Sequence, residues 1–129
     1  MKYFSRYKVL ASLPCPVSNI RRVKLMSGPD ASPEFALLSA TQECSEWNHR
    51  FWLNNNQRFG QFMAGMEGAD EGQKAAAYRK YLAENEAEFR TYYRDWTRRN
   101  FALLWLDLRY RFDIVRRVFK RTSKSLNVL

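Results

Sequence analysis

The chain has 129 residues and a formal net charge of +9, with 46% hydrophobic and 16% aromatic residues. This length predicts one domain, and so much aromatic area excludes a fully disordered chain. The only two cysteines, Cys15 and Cys44, form no CxxC or twin Cx9C spacing, which favours a reducing compartment over an oxidatively trapped protein.

The positive charge lies at the two ends of the chain. Residues 1–29 contain basic residues and no acidic one, residues 30–89 are acidic on balance, and residues 90–129 are strongly basic. Each end can therefore attract a polyanion, such as nucleic acid, anionic lipid or an acidic protein surface. No apolar run approaches the roughly 20 residues that a membrane-spanning helix requires, so the sequence predicts no such helix.

Residues 1–32 are predicted to form an extended, basic arm, because prolines interrupt them and no hydrophobic period is visible. We expect few contacts between this arm and the rest of the chain, and no β-strand anywhere. We also expect Arg21 and Arg22 to lie near an acidic or anionic surface. The serine-containing, acid-free composition is typical of a mitochondrial targeting segment, and equally of an ordinary basic arm.

Candidate groups for catalysis or cofactor binding are few. A Cys-Pro pair can present a thiolate to haem iron, which makes Cys15, followed by Pro16, a candidate haem ligand; the alternative is a cysteine in an irregular arm. His49 is the only histidine, and it completes neither a catalytic triad nor a metal-ligand set. His49 is interpreted as a surface or interface residue, and no catalytic residue, metal or cofactor is predicted.

The first helix is predicted over residues 33–66. Ser32, Pro33 and Glu34 supply an N-cap hydroxyl, a proline at the first helical position and an acid in the first turn. Apolar residues then recur at spacings of three and four, which indicates one buried face. These residues are Leu37, Ala40, Cys44, Trp47 and Phe51. Glycines between residues 65 and 72 predict a loop, with Asp70 and Glu71 in solvent.

The second helix is predicted over residues 73–120, a stretch without glycine or proline. It contains two apolar stripes. The first consists of Tyr78, Leu82, Phe89, Tyr92 and Trp96, and the second of Phe101, Leu104, Trp105, Leu108, Phe112, Val115 and Phe119. The five-residue step between the stripes turns the face by about 140°. We therefore expect either a kink near residues 98–100 or one helix that presents two faces to two partners.

The predicted fold class is all-α: a long helical hairpin with an extended basic N-terminal arm and a basic amphipathic C-terminal helix. The domain division is residues 1–32 for the arm and residues 33–129 for the hairpin. Within the hairpin, we expect Trp47 and Phe51 to pack against Phe89, Tyr92 or Trp96. The second stripe cannot then be covered by the same partner helix, so we expect another subunit or the membrane surface to meet it.

Arginines and aromatic residues cluster in the second helix. Asp95 and Arg99 have the i, i+4 spacing of an intrahelical ion pair, and arginines beside a tryptophan are a common composition for an interaction hot spot. Basic residues interleaved with Trp and Phe further along suit a bilayer surface, an acidic groove or ribosomal RNA. The candidate partner-binding residues are Trp47, Phe51, Trp52, Arg94, Trp96, Arg99, Phe101, Trp105, Arg109, Arg116 and Arg117.

Two aromatic motifs and a short arm element resemble a known family. The first motif is Glu46-Trp47-Asn48 with Phe51-Trp52, Asn54 and Phe59; the second is Tyr92, Arg94-Asp95-Trp96 and Arg99-Asn100-Phe101-Ala102; the arm element is Ser18-Asn19-Ile20-Arg21 with Val23. Together they resemble the mitochondrial apoptogenic protein family, also called cytochrome c oxidase assembly factor eight, over about residues 15 to 105. The stretch between the two motifs is shorter here than in that family.

The resemblance implies a non-catalytic protein that binds peripherally on the matrix side of the mitochondrial inner membrane. Such a protein supports the biogenesis of cytochrome c oxidase, either as a transient assembly factor or as a retained permanent subunit. Its expected partners are subunits of that complex and anionic lipid. The alternatives are a mitochondrial ribosome component that contacts RNA and a haem-handling assembly factor that uses Cys15.

Overall fold

The computed structural model describes residues 6–126, with side chains as far as Lys124. Within this part, two short strands precede two long helices: β1 (Val9–Ala11), β2 (Val23–Leu25), α1 (Pro33–Ala64) and α2 (Glu71–Leu126). The prediction of a predominantly helical hairpin is confirmed. The helices begin and end within a few residues of the predicted bounds, except that α2 continues to Leu126.

The start of α1 follows from its first residues. The Ser32 hydroxyl accepts a 3.0 Å hydrogen bond from the Phe35 amide, and Pro33 occupies the first turn, where an amide hydrogen would have no partner. The Tyr7 hydroxyl lies 2.7 Å from the same Ser32 hydroxyl and also hydrogen-bonds to Asp30, so the arm reaches the cap of α1.

A reciprocal capping box begins α2. The Gln73 amide donates to Asp70 Oδ1 at 2.8 Å, and the Asp70 amide donates to Gln73 Oε1 at 3.1 Å. Gly68, with φ of 82°, makes the left-handed turn between the helices. Asp70 is exposed, as the sequence predicted, and it also caps α2.

The arm folds into a β-hairpin, so the prediction that no strand forms is wrong. β1 and β2 pair antiparallel, with Leu10 opposite Lys24. Each strand has only three residues, too few to show a period of two in the sequence. Asn19, with φ of 59°, allows the tight turn between them.

The prediction that the arm makes few contacts is also wrong. The outer edge of β2 is satisfied by side chains of α1: the Val23 amide donates to Ser45 Oγ at 3.2 Å and the Leu25 amide to Gln42 Oε1 at 2.6 Å. These are polar contacts, which a search for hydrophobic periods cannot detect. The arm lies on α1 because backbone groups at a strand edge need partners.

The two helices pack through one continuous line of α2. Tyr81, Phe89 and Tyr92 contact aromatic rings of α1. The same line continues through Arg99 and Leu106 at seven-residue steps, and both of these are half-buried. The α2 helix is unbroken across residues 98–100, and Leu103 and Leu106 are half-buried on the same side as Arg99, so the buried face does not change there.

Candidate functional site

The best-packed region is an aromatic cluster in the middle of the hairpin. Tyr92 is 5% exposed, less than any other aromatic or aliphatic side chain in the described part of the chain. Its ring stacks on Phe51, with centroids 4.0 Å apart, and on Trp47, with centroids 5.2 Å apart. Phe51 also meets Phe89 edge-on at 6.2 Å. The predicted packing of Trp47 and Phe51 against the second helix is confirmed.

A short chain of hydrogen bonds satisfies the polar atoms of this cluster. The Trp52 indole N–H donates to the Tyr92 hydroxyl at 2.9 Å, and the Tyr92 hydroxyl donates to Asn48 Oδ1 at 2.6 Å. Burial raises the pKa of Tyr92 above its ordinary value, so the phenol stays protonated and can donate. Trp52, Asn48 and Tyr92 thereby fix the relative position of the two helices.

Arg99 is held by an aromatic ring. Its guanidinium lies 4.7 Å from the centroid of the Trp47 ring, in cation–π geometry. Its Nε is buried and has no hydrogen-bond partner among the described residues. The predicted ion pair between Asp95 and Arg99 does not form; Asp95 instead lies 3.7 Å from both Arg94 and Arg98. The aromatic contact inside the hairpin draws Arg99 away from Asp95.

Trp96 lies outside the aromatic cluster, contrary to the prediction that it belongs to the buried stripe. Its side chain is 43% exposed, and Tyr78 and Leu82 of the same predicted stripe are exposed as well. Tyr81 and Asn85 occupy the inner positions instead and are half-buried. Of the predicted stripe, Phe89 and Tyr92 face α1, and they share this face with the half-buried Tyr81 and Asn85.

The second predicted stripe lies on the opposite side of α2, where no part of the described chain covers it. We call six of its residues the outer seam. They are Phe101 (68% exposed), Trp105 (64%), Leu108 (40%), Phe112 (73%), Val115 (50%) and Phe119 (71%). The second stripe is exposed as expected, although most of the first predicted stripe is exposed as well. A line of exposed apolar residues like this one is a candidate interaction surface.

The arginines of α2 that were predicted to bind a partner differ in exposure and in ion pairing. Arg94 and Arg109 are exposed, and Arg109 forms no ion pair within the described residues. Arg116 and Arg117 both pair with Asp113, at 3.3 Å and 2.5 Å. Asp113 is only 11% exposed, so these two arginines are partly engaged inside the chain.

The arm docks on α1 through residues to which the sequence alone assigned no docking role. The buried Ser18 hydroxyl lies 2.9 Å from His49 Nδ1, and the Arg22 guanidinium binds the Glu46 carboxylate through two hydrogen bonds. Arg22 thus meets an acidic surface as expected, but that surface belongs to its own chain. The available signal was a polar stripe at helical spacing on α1. It consists of Gln42, Ser45, Glu46, His49 and Asn56.

Cys15 lies at the turn of the β-hairpin and is half-buried. Hydrogen bonds from the backbone and hydroxyl of Ser18, and from the Val17 backbone, lower the pKa of the Cys15 thiol. The turn therefore favours the thiolate, the form that reacts with electrophiles and binds soft metal ions. Haem binding by Cys15 stays a prediction.

Over residues 6–126, no three side chains of the His, Cys, Asp or Glu type come together as a candidate metal site. In the same part of the chain, neither helix combines the length and apolarity that crossing a membrane requires.

The chain was compared with known proteins. The family model for cytochrome c oxidase assembly factor 8 matches residues 9–116. The human protein of that name is 32% identical over 111 residues, which is 70% of this chain and 53% of the relative. The bovine protein is 31% identical over 110 residues, covering 70% of this chain and 57% of the relative. No solved structure gives a significant match.

A nematode relative extends the comparison. A COA8 family protein of Caenorhabditis briggsae, named as mitochondrial, is 28% identical over 104 residues, covering 71% of this chain and 73% of the relative. The chain spans about half the length of the mammalian relatives it matches. The matched segment contains both strands, all of α1 and α2 as far as Arg116. The chain therefore belongs to the cytochrome c oxidase assembly factor 8 family.

Proposed function

We propose that this chain is a non-catalytic assembly or accessory protein of mitochondrial cytochrome c oxidase. The observation that carries the proposal is the extent of the family match, which includes the docked arm and the aromatic cluster rather than one short motif. The polar atoms of the cluster bond to one another (Trp52 to Tyr92, Tyr92 to Asn48), which is an arrangement for holding two helices together. We infer a scaffold that presents a surface.

The outer seam is the surface that we propose for contact with the oxidase. Its aromatic side chains are exposed, and Arg109 lies beside them. We place the protein peripherally on the matrix side of the inner membrane. The basic C-terminal end of α2, with Lys120 and Lys124, is suited to anionic lipid at that surface.

Deletion of the gene in the native cells tests the proposal. Native gel electrophoresis of mitochondrial membranes should show loss of assembled cytochrome c oxidase, with the other respiratory complexes retained, and re-expression should restore it. Loss of mitochondrial ribosomes on sucrose gradients, with oxidase loss only as its consequence, would instead identify the RNA-binding alternative. Carbonate extraction and protease protection of mitoplasts test the peripheral matrix location.

A pulse-labelling time course distinguishes a permanent subunit from a transient assembly factor. A pulse-labelled permanent subunit should migrate with the mature oxidase indefinitely, whereas an assembly factor should leave as the complex matures. Either behaviour fits the proposal, since it includes both. Labelled protein that never comigrates with any oxidase intermediate would contradict it.

A further inference from the structure

The α2 helix carries two heptad seams on opposite sides. The inner seam, which packs on α1, advances in alternating steps of four and three residues through Arg99, Leu103, Leu106 and Tyr110. The outer seam repeats the same steps from Phe101 to Phe119. A 3.5-residue period keeps one line of side chains facing a neighbouring helix over several turns. The inner seam has that neighbour in α1. The residues of the outer seam are 40–73% exposed, and Pro33 of α1 lies near the seam at Phe112.

The exposed apolar face is wider than the seam itself. The six seam residues lie within about 40° of one line along the helix, and Leu104, which is 53% exposed, lies about 60° from that line. The regular steps of four and three residues along the seam, rather than the width of the face, indicate helix–helix packing. Continued toward the N-terminus at the same spacing, the line reaches Arg98 and Arg94. A bilayer that covered the whole line would have to accept these two arginines.

We propose that the outer seam binds one amphipathic helix of a partner protein, packed along α2 over residues 101–119 and carrying Asp or Glu on its flanks. This stretch is about 27 Å long, so the partner helix has about five turns. The complex is a three-helix layer with α2 in the middle. The inference deepens the proposed function and rests on it only for the identity of the protein that supplies the helix.

Charge determines the kind of helix. Arg98, Arg109 and Arg116 flank the seam on one side, and Arg111 flanks it on the other. Three of these arginines lie close to acids of α2: Arg98 is 3.7 Å from Asp95, Arg111 is 2.6 Å from Asp107, and Arg116 is 3.3 Å from Asp113. Arg109 has no ion pair among the described residues, so the positive charge of the rim is least compensated there.

A second copy of this chain fits poorly on the seam, because it would place one positive rim against another. Carboxylates on a different helix would pair with the rim, as e and g residues do in coiled coils. We therefore assign the seam to an acidic partner helix and not to self-association.

Site-specific photo-crosslinking of the full chain in native mitochondria tests the inference. p-Benzoylphenylalanine replaces Phe101, Trp105, Leu108 or Phe112, one at a time, and circular dichroism of each purified variant checks that the hairpin is folded. The matched control position is Glu84, which is exposed on α2 away from the seam. Mass spectrometry then locates every adduct.

The expected adducts fall on one segment of one partner and advance along it by three to four residues for each step along the seam. That segment should carry Asp or Glu beside the crosslinked positions. The Glu84 control should give a yield at background. Reversal of the rim charge by R109E should lower the yield by about fivefold, and this loss should shrink in high salt.

Three outcomes would overturn the inference: adducts on phospholipid, adducts on a second copy of this chain, or adducts scattered over unrelated segments. If the ordered adducts fall on a helix of a protein outside cytochrome c oxidase, the helix inference stands and the proposed function fails. If the adducts are on lipid while deletion still abolishes oxidase assembly, the proposed function stands and the helix inference fails.

Discussion

The indole N–H of Trp52 on α1 donates a 2.9 Å hydrogen bond to the hydroxyl of Tyr92 on α2. The two residues are 40 positions apart in the chain, and Tyr92 passes the bond on to Asn48. Both helices are therefore joined by a polar contact within an aromatic cluster. Such a contact specifies the register of the helices more sharply than aromatic packing alone, because a shifted register would leave buried donors without acceptors.

Tyr92→Phe should destabilise the hairpin by about 1–3 kcal/mol, because it leaves the Trp52 donor and the Asn48 acceptor without their partner. Urea unfolding followed by circular dichroism measures the change. Tyr93→Phe is the matched control: Tyr93 is 55% exposed, so its loss of a hydroxyl should have almost no effect. Equal effects of the two substitutions would show that the hydrogen-bond chain contributes nothing.

Trp47→Ala should cost about 2–3 kcal/mol, less than the roughly 3–5 kcal/mol of a fully buried tryptophan, because Trp47 is half-buried. The substitution removes the stacking on Tyr92 and the cation–π contact with Arg99. Trp105→Ala, at a position 64% exposed, should change stability by less than about 0.5 kcal/mol. The reverse ranking of these two variants in thermal or urea unfolding would contradict the structure.

His49→Ala should loosen the arm while the hairpin stays folded, because His49 binds the buried Ser18 hydroxyl. Hydrogen exchange should become faster in residues 17–25 and stay unchanged in the centre of α2. Arg50→Ala, at the exposed neighbouring position, is the control and should leave the arm protected. Unchanged exchange in the arm of the His49 variant would mean that the other contacts suffice.

Cys15 should react with iodoacetamide faster at neutral pH than an ordinary thiol, because hydrogen bonds from Ser18 and Val17 lower its pKa. The rate should follow the thiolate fraction, rising as pH passes a midpoint below the ordinary value of 9.0. Measured in a Cys44→Ser background, Ser18→Ala should shift this midpoint upward.

His49→Ala is the control for this experiment, since it frees Ser18 without removing its hydroxyl. If it shifts the midpoint as much as Ser18→Ala, release of the arm explains the effect. A midpoint at the ordinary cysteine value in the unaltered chain would show that the turn does not stabilise the thiolate.

Arg109→Glu should reduce copurification of cytochrome c oxidase with the tagged chain, because Arg109 is exposed beside the outer seam. The reduction should be several-fold at low salt and smaller at high salt. Arg109 is a better site for charge reversal than Arg116 or Arg117. These two arginines pair with Asp113, so reversing their charge would disturb the helix itself. Retained copurification with a folded variant would move the interface elsewhere.

The helical hairpin was readable from the sequence because its signals are local. Ser32 and Pro33 mark the start of a helix whatever follows, and the three- and four-residue spacing from Leu37 to Phe51 reports a buried face directly. The exposure of the outer seam was also predictable, since residues on opposite sides of one helix cannot both face the same partner. The residues of each family motif are close together in the sequence, so the family resemblance was likewise visible without the structure.

The inner seam of α2 could not be read in the same way. Arg99 lies on it because the Trp47 ring on another helix faces its guanidinium. From the sequence alone, an arginine at that position is expected on a solvent-exposed face. The large apolar residues Phe101 and Trp105 suggested a change of buried face, although Leu103 and Leu106 continue the existing one.

The arm shows what tertiary structure alone decided. The composition of the arm shows that it is basic and interrupted by prolines. The sequence also contains the polar stripe of α1 on which the arm docks. β1 and β2 pair with each other, and Ser45 and Gln42, some 20 residues away, accept the edge amides of Val23 and Leu25. A three-residue strand has too little hydrophobic area to signal itself, so its existence depends on hydrogen-bond partners that only the folded chain brings within reach.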